Sequence, residues 1–167
     1  MSFPRAVDHH KPGKPRVPNG LGVIYVLASS VYLFTLHFLD YEGALPLAVC
    51  ILFGGFLGLL DDWMDLRWRY KAVAPIFASF PLIALRQGET QMSTFIFGVV
   101  DFGIYYYLLI APLIVTVTTN AVNMLAGLNG LETVCPLIIL LGFTLISRER
   151  VLLIVPILVL AVLAYFN

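Results

Sequence analysis

Long apolar runs separated by short polar punctuation make up most of this chain. The runs cover about residues 21–39, 43–60, 72–86, 102–119, 131–147 and 151–166. A bilayer-spanning helix needs about 20 mostly apolar residues, so each run is a candidate span. The first two are joined only by "DYE", which predicts a tight turn. The third holds Pro75 and Pro81 and predicts a kinked helix. After it comes "RQGETQMSTFIFGVVD", whose "TFIFGVV" is too short to span but is β-branched and aromatic. A small hairpin or a re-entrant piece fits there. The opening twenty residues, "MSFPRAVDHHKPGKPRVPNG", lack the apolar core of a signal peptide and read as a polar, proline-rich loop. The pattern predicts one membrane domain over 1–167. Its fold class is all-α, a polytopic membrane helix bundle of about six transmembrane helices, with 1–20 as a cytoplasmic loop.

Composition sharpens this. Hydrophobic residues are 60% and charged residues 12% of the 167, against roughly 45–50% and 25% in soluble domains. The mean hydropathy is +0.92. A formal net charge of zero gives no reason to expect a nucleic-acid partner. Cys50 and Cys135 sit inside apolar runs, where a thiol behaves as a small hydrophobe. Six spans put loops alternately on two sides. One side holds Arg5, Lys11, Lys14, Arg16, Arg67, Arg69 and Lys71, and the other Arg86, Arg148 and Arg150. The positive-inside rule places the first set in the cytoplasm. Most polar groups suited to chemistry lie on that same side.

The densest of these is "DDWMDLRWRYK", residues 61–71. On a helix, Asp61 and Asp65 stand one turn apart and Asp62 three residues before Asp65, so all three share an arc. Such carboxylates repel unless a divalent cation or shared proton intervenes. Mg²⁺ suits oxygen ligands and brings phosphates with it. A helix end that merely becomes polar at the membrane surface explains one aspartate better than three. Arg67 and Arg69 read equally as positive-inside anchors or ligand contacts. Lys71, beside the acidic cluster, can meet a pyrophosphate as a point charge.

The second unusual stretch is "TTNAVNMLAGLNGLE", residues 118–132. Asn120 and Asn123 share one helical face, and a buried amide of this kind either glues two helices or binds a ligand. Gly127 and Gly130 would let backbone approach a ligand closely, and Asn129 offers a donor and an acceptor to a base or sugar. Glu132 reads as an electrostatic cap on the fifth helix. In the proline-rich loop, His9 and His10 are weak metal evidence, and Lys11 gains modestly from lying on the motif side. His37 reads as structural.

The pair "DDWMDLRWRYK" and "NAVNMLAGLNGLE", in this order with two spans between, resembles the polyprenyl-phosphate N-acetylhexosamine-1-phosphate transferases, glycosyltransferase family 4. Within them the chain looks most like the archaeal and eukaryotic UDP-GlcNAc–dolichyl-phosphate branch; bacterial branches read closer to "DGLDGL" where this chain has "AGLNGL". The two motifs together are specific, whereas "DDxxD" alone is not. The resemblance implies roles residue by residue. Asn123 would be a magnesium ligand. Asp61 and Asp62 would be catalytic, near the metal and the acceptor phosphate, with Asp65 supporting the site. Lys71 would hold the pyrophosphate, Gly127 and Asn129 would contact uracil, and Lys11 would lie near the lipid phosphate. The implied cofactor is Mg²⁺, with Mn²⁺ as an alternative. The implied partners are a UDP-sugar, a polyprenyl or dolichyl phosphate and the lipid bilayer; a homodimer is compatible with the family.

The family fold has about ten helices. The resemblance implies a helix before the proline-rich loop, a P-S-x-x-F-x-G-D segment beyond Asn167 and a later sugar-reading loop. The sequence thus looks like an internal fragment, and residues 1–167 alone are expected not to turn over UDP-GlcNAc. The implied activity is transfer of a sugar-1-phosphate to the lipid with release of UMP, the first step of lipid-linked glycan assembly for N-glycosylation. It would take place at the cytoplasmic face of an archaeal cell membrane or the ER membrane. Three rivals stand beside it: an inactive truncated family member, a membrane prenyltransferase and a transporter or structural subunit. The prenyltransferase needs a second aspartate-rich motif, and the transporter expects polar groups near mid-bilayer.

Overall fold

Helices dominate the computed structural model, which describes residues 5–7, 13, 16–18, 22–64, 66–86, 88–94, 96–125, 130–147 and 149–166. They are α1 (Gly22–Phe38), α2 (Ala44–Met64), α3 (Trp68–Val73), α4 (Pro75–Ala78), α5 (Phe80–Ala84), α6 (Ala111–Leu125), α7 (Leu131–Ile146) and α8 (Ile154–Phe166). A π-helical turn, Tyr106–Ile110, leads into α6, and a 3₁₀ turn, Arg150–Leu153, leads into α8.

The helix pair α1–α2 forms the packed centre, and α8 lies against α1 and α7. Leu33, Leu36, Ala44, Ala48 and Leu152 are its buried apolar core. The Tyr32 hydroxyl donates to the Val151 carbonyl at 2.6 Å, tying α1 to the 3₁₀ turn. Gly55 sets the spacing of the pair. A Cβ built there would stand 2.5 and 2.6 Å from the two methyls of Val26 on α1.

Among the described residues two helical stretches, Ala44–Met64 and Tyr106–Met124, are long and apolar enough to cross a bilayer. Only 17% and 11% of their apolar windows are buried by protein. Burial that low does not suit the core helix of a soluble domain, and lipid is the medium that fits. Three shorter apolar helices cover Gly22–Phe38, Leu131–Ile146 and Arg150–Tyr165. Helices of 17 and 16 residues reach only about 25 Å, short of a hydrocarbon core of about 30 Å.

The run at 72–86 is broken into α3, α4 and α5, with the breaks at Ala74 and Ser79. Pro75 and Pro81 lack the N–H that a continuous helix would use, and their rings crowd the preceding turn. The π turn before α6 stands next to Pro112 for a related reason: a wider turn relieves the ladder where a proline cannot donate.

The expectation of an all-α chain is amended by two antiparallel strand pairs. β1 (Arg5–Val7) pairs with β2 (Arg16–Pro18) inside the stretch read as a plain loop. β3 (Gln91–Thr94) pairs with β4 (Gly98–Asp101), so the apolar piece after the third run is a hairpin. Tyr107 holds the entry to that hairpin, its hydroxyl lying 3.2 Å from the carbonyls of Arg86 and Gly88.

Candidate active site

The last turn of α2 carries Asp61 and Asp62, the end of its apolar run. α3 follows after a short link and carries Lys71 in its last turn. The Lys71 ammonium lies 3.0 Å from Asp61 Oδ1, with the two side chains 31% and 28% exposed. Asp61 Oδ1 is itself buried, and among the described residues no donor makes a well-aligned hydrogen bond to it. The contact with Lys71 is therefore an ion pair by distance and not an aligned hydrogen bond. It leaves that oxygen with coordinating capacity to spare.

α6 approaches the same place from the other side and brings Asn123 near its C-terminal end. α7 then starts at Leu131, with Gly130 at φ 87° before it. That left-handed conformation is one that glycine adopts freely, and Gly130 takes it immediately before the first turn of α7. Glu132 sits in the first turn.

These pieces border one open cavity of about 660 Å³, lined by Asp61, Lys71, Asn123 and Glu132 at its charged end. Gly54, Gly58, Ala74, Pro75 and Ala78 line its apolar remainder. A second cavity of about 490 Å³ shares Gly22, Gly54, Gly58, Asp61 and Asn123 with the first and adds Asp62. Small residues on α2 and α4 open the space, and the polar groups gather at the helix ends. The cavity thus joins charged side chains to an apolar wall.

Of the residues singled out in the sequence, Asp61, Asp62, Lys71 and Asn123 are brought together by the two cavities. Lys11, Asp65, Gly127 and Asn129 lie outside the described residues. Asn120 faces elsewhere: its amide nitrogen donates to the carbonyls of Ala72 at 3.0 Å and Thr116 at 2.9 Å. Glu132 was read only as a helix cap. The signal that could have promoted it is its place directly after "LNGL" in the second motif. Among the described residues no group of three or more His, Cys, Asp and Glu forms a metal-binding cluster.

A helical bundle whose long apolar helices are left largely uncovered by protein, with a cavity bordered by charged residues near helix ends, marks a membrane protein. The model of "Glycosyl transferase family 4" matches residues 44–167, and the chain belongs to that family. It is 41% identical over 127 residues to a Saccharolobus solfataricus protein provisionally named UDP-N-acetylglucosamine–dolichyl-phosphate N-acetylglucosaminephosphotransferase, covering 74% of this chain and 39% of the relative. A Sulfolobus acidocaldarius protein with the same provisional name is 41% identical over 150 residues, covering 85% of this chain and 45% of that one. The Dictyostelium discoideum UDP-N-acetylglucosamine–dolichyl-phosphate N-acetylglucosaminephosphotransferase is 33% identical over 156 residues, covering 75% and 37%. The chain thus spans less than half the length of these curated relatives.

Proposed function

We propose that this chain carries the donor-sugar site of an enzyme that moves GlcNAc-1-phosphate from UDP-GlcNAc to dolichyl or polyprenyl phosphate. The observation that carries the reading is the single cavity in which Asp61, Lys71 and Asn123 meet beside an apolar wall. The names of the relatives supply the substrates. In the reaction, an oxygen of the lipid phosphate attacks the β-phosphorus of UDP-GlcNAc. The bond from that phosphorus to the bridging oxygen breaks, and UMP leaves with the electron pair. Such transfers need mainly positioning and neutralisation of charge. An ionised phosphate nucleophile needs no strong base.

Lys71 supplies a positive charge at the cavity mouth, and Asp61 keeps its ammonium there until a pyrophosphate replaces the carboxylate as partner. Asp62 borders the adjoining space and orients the acceptor end. Gly127 and Asn129 are assigned to uracil, Lys11 to the lipid phosphate and Asp65 to support of the acidic turn. The residues suit a divalent cation. Asp61 Oδ1 is buried without an aligned donor among the described residues, and Asp62 and the Asn123 amide add hard oxygen donors bordering the same space. Mg²⁺, or Mn²⁺ in its place, is the ion for such a set. When bound it would neutralise the pyrophosphate charge.

In this reading the six apolar runs all cross the membrane, the shorter ones within a longer assembly of helices. The cavity faces the cytoplasm, as the distribution of basic residues suggests. The test is to express the complete reading frame that encodes these residues and supply its membranes with radiolabelled UDP-GlcNAc and dolichyl phosphate. Lipid-linked GlcNAc phosphate and an equal amount of UMP are expected, and both should be lost in Asp62→Asn. Product formation that Asp62→Asn leaves untouched would overturn the reading.

A further inference from the structure

α3 is a helix of six residues, and its N-cap position, Arg67, makes no side-chain capping bond. A helix this short has little stability of its own. Pro75 cannot donate to the carbonyl of Lys71, four residues earlier, so the chain beyond α3 does not continue its ladder. The placement of Lys71 therefore depends on what α3 is attached to, and α3 packs on α4 and α6.

The attachment to α6 includes a specific bond. Asn120 Nδ2 donates to the Ala72 carbonyl at 3.0 Å across 48 residues, and to the Thr116 carbonyl one turn back on its own helix at 2.9 Å. An amide nitrogen carries two N–H groups, so both are used, and the side chain is fixed in direction. Ala72 follows Lys71 directly. Asn123 lies three residues beyond Asn120, almost one turn along α6, and lines the same cavity as Lys71.

We infer that Asn120 is a positioning residue, which pins the peptide next to Lys71 to α6 and so holds the Lys71 ammonium beside Asp61, in the cavity that Asn123 also lines. Its relevance to catalysis rests on the donor-site reading above; its effect on Lys71 does not. Asn120 is half-buried, and among the described residues its amide bonds to backbone carbonyls. It acts through Lys71 without touching substrate.

The test uses Asn120→Ala, the near-isosteric Asn120→Leu and the amide-keeping Asn120→Gln. The chain has three lysines, Lys11, Lys14 and Lys71. In purified protein, the rate of Lys71 modification by an amine-reactive ester is read by mass spectrometry, with Lys11 and Lys14 as internal references. Loss of one buried hydrogen bond corresponds to roughly a three- to tenfold change. Lys71 labelling should rise by about that factor in the Ala and Leu variants and return toward wild type in Gln.

In membranes with transfer activity, the KM for UDP-GlcNAc should rise by a similar factor, while the KM for dolichyl phosphate and kcat per folded enzyme hold. A role as helix glue alone would lower the melting temperature or the folded fraction and leave Lys71 labelling and KM unchanged, and that result would overturn the inference. Should Asn120→Ala fail to fold, Asn120→Leu decides. If labelling responds but the wild type transfers no sugar, the inference stands and the donor-site reading falls.

Discussion

Asp61 and Lys71 make the clearest case of a pair whose stability value and functional value differ. With roughly a third of each side chain exposed, the pair adds only about 0–1 kcal/mol to folding. Its cost if broken is expected in ligand binding instead. Lys71→Ala should weaken use of UDP-GlcNAc by about 2–5 kcal/mol, the range for removing one partner of a buried charge pair. The melting temperature should hardly move. Steady-state kinetics beside a thermal melt checks both, and a large fall in stability with unchanged KM would count against the assignment. Asp61, Asp62, Lys71 and Asn123 were legible in the sequence because charge and amides at the ends of apolar runs need a reason. Glu132 was legible only as a helix cap, because which cavity its helix start borders is a tertiary fact. The partner of Asn120, a carbonyl 48 residues away, has no sequence signature at all.

Among the elements, the α1–α2 pair is the tightest fit. Val26 is β-branched and stiff in a helix, so it cannot swing clear of a methyl added at Gly55. Gly55→Ala should destabilise the fold by about 1–3 kcal/mol, and Val26→Ala in the same chain should recover most of that in a double-mutant cycle. Simple additivity of the two losses would refute the contact. At the exit of the β3–β4 hairpin, the Asp101 carboxylate accepts the Gly103 N–H at 2.9 Å and forms a turn after β4. That bond, with help from Thr90 and Gln91, holds its pKa below the ordinary 3.8. A depressed folded pKa means the contribution to the turn is complete above about pH 3.8 and is lost as pH falls through the folded value. The Gly103 amide resonance should shift only below that pH in wild type and show no such titration in Asp101→Asn. The hairpin was half legible, since β-branched and aromatic residues named it beside a re-entrant alternative. The breaks in the third run followed from Pro75 and Pro81. The β1–β2 pair was not legible, because three-residue strands among prolines carry too little periodicity to register.

At the scale of the whole molecule, α1, α2, α3, α6 and α7 all present one end to the same pair of cavities. His37, Asp40 and Glu42 border a different one of about 680 Å³. Alternation of polar and apolar runs made this two-ended organisation legible. It did not disclose that three of the apolar helices among the described residues are shorter than the two long enough to cross a bilayer. Single cysteines placed at Arg69 and at Glu132 should react with a membrane-impermeant maleimide from the cytoplasmic side only. Labelling from the opposite side would invert the orientation. The central claim is that the cavity shared by Asp61, Lys71 and Asn123 holds the nucleotide sugar. A photoreactive UDP-GlcNAc, bearing an azide on uracil, tests it most directly when its adducts are mapped by mass spectrometry. The account expects adducts within residues 118–132, competed away by unlabelled UDP-GlcNAc and weakened by Lys71→Ala. Adducts confined to the His37–Asp40–Glu42 end, or insensitive to competition, would contradict it.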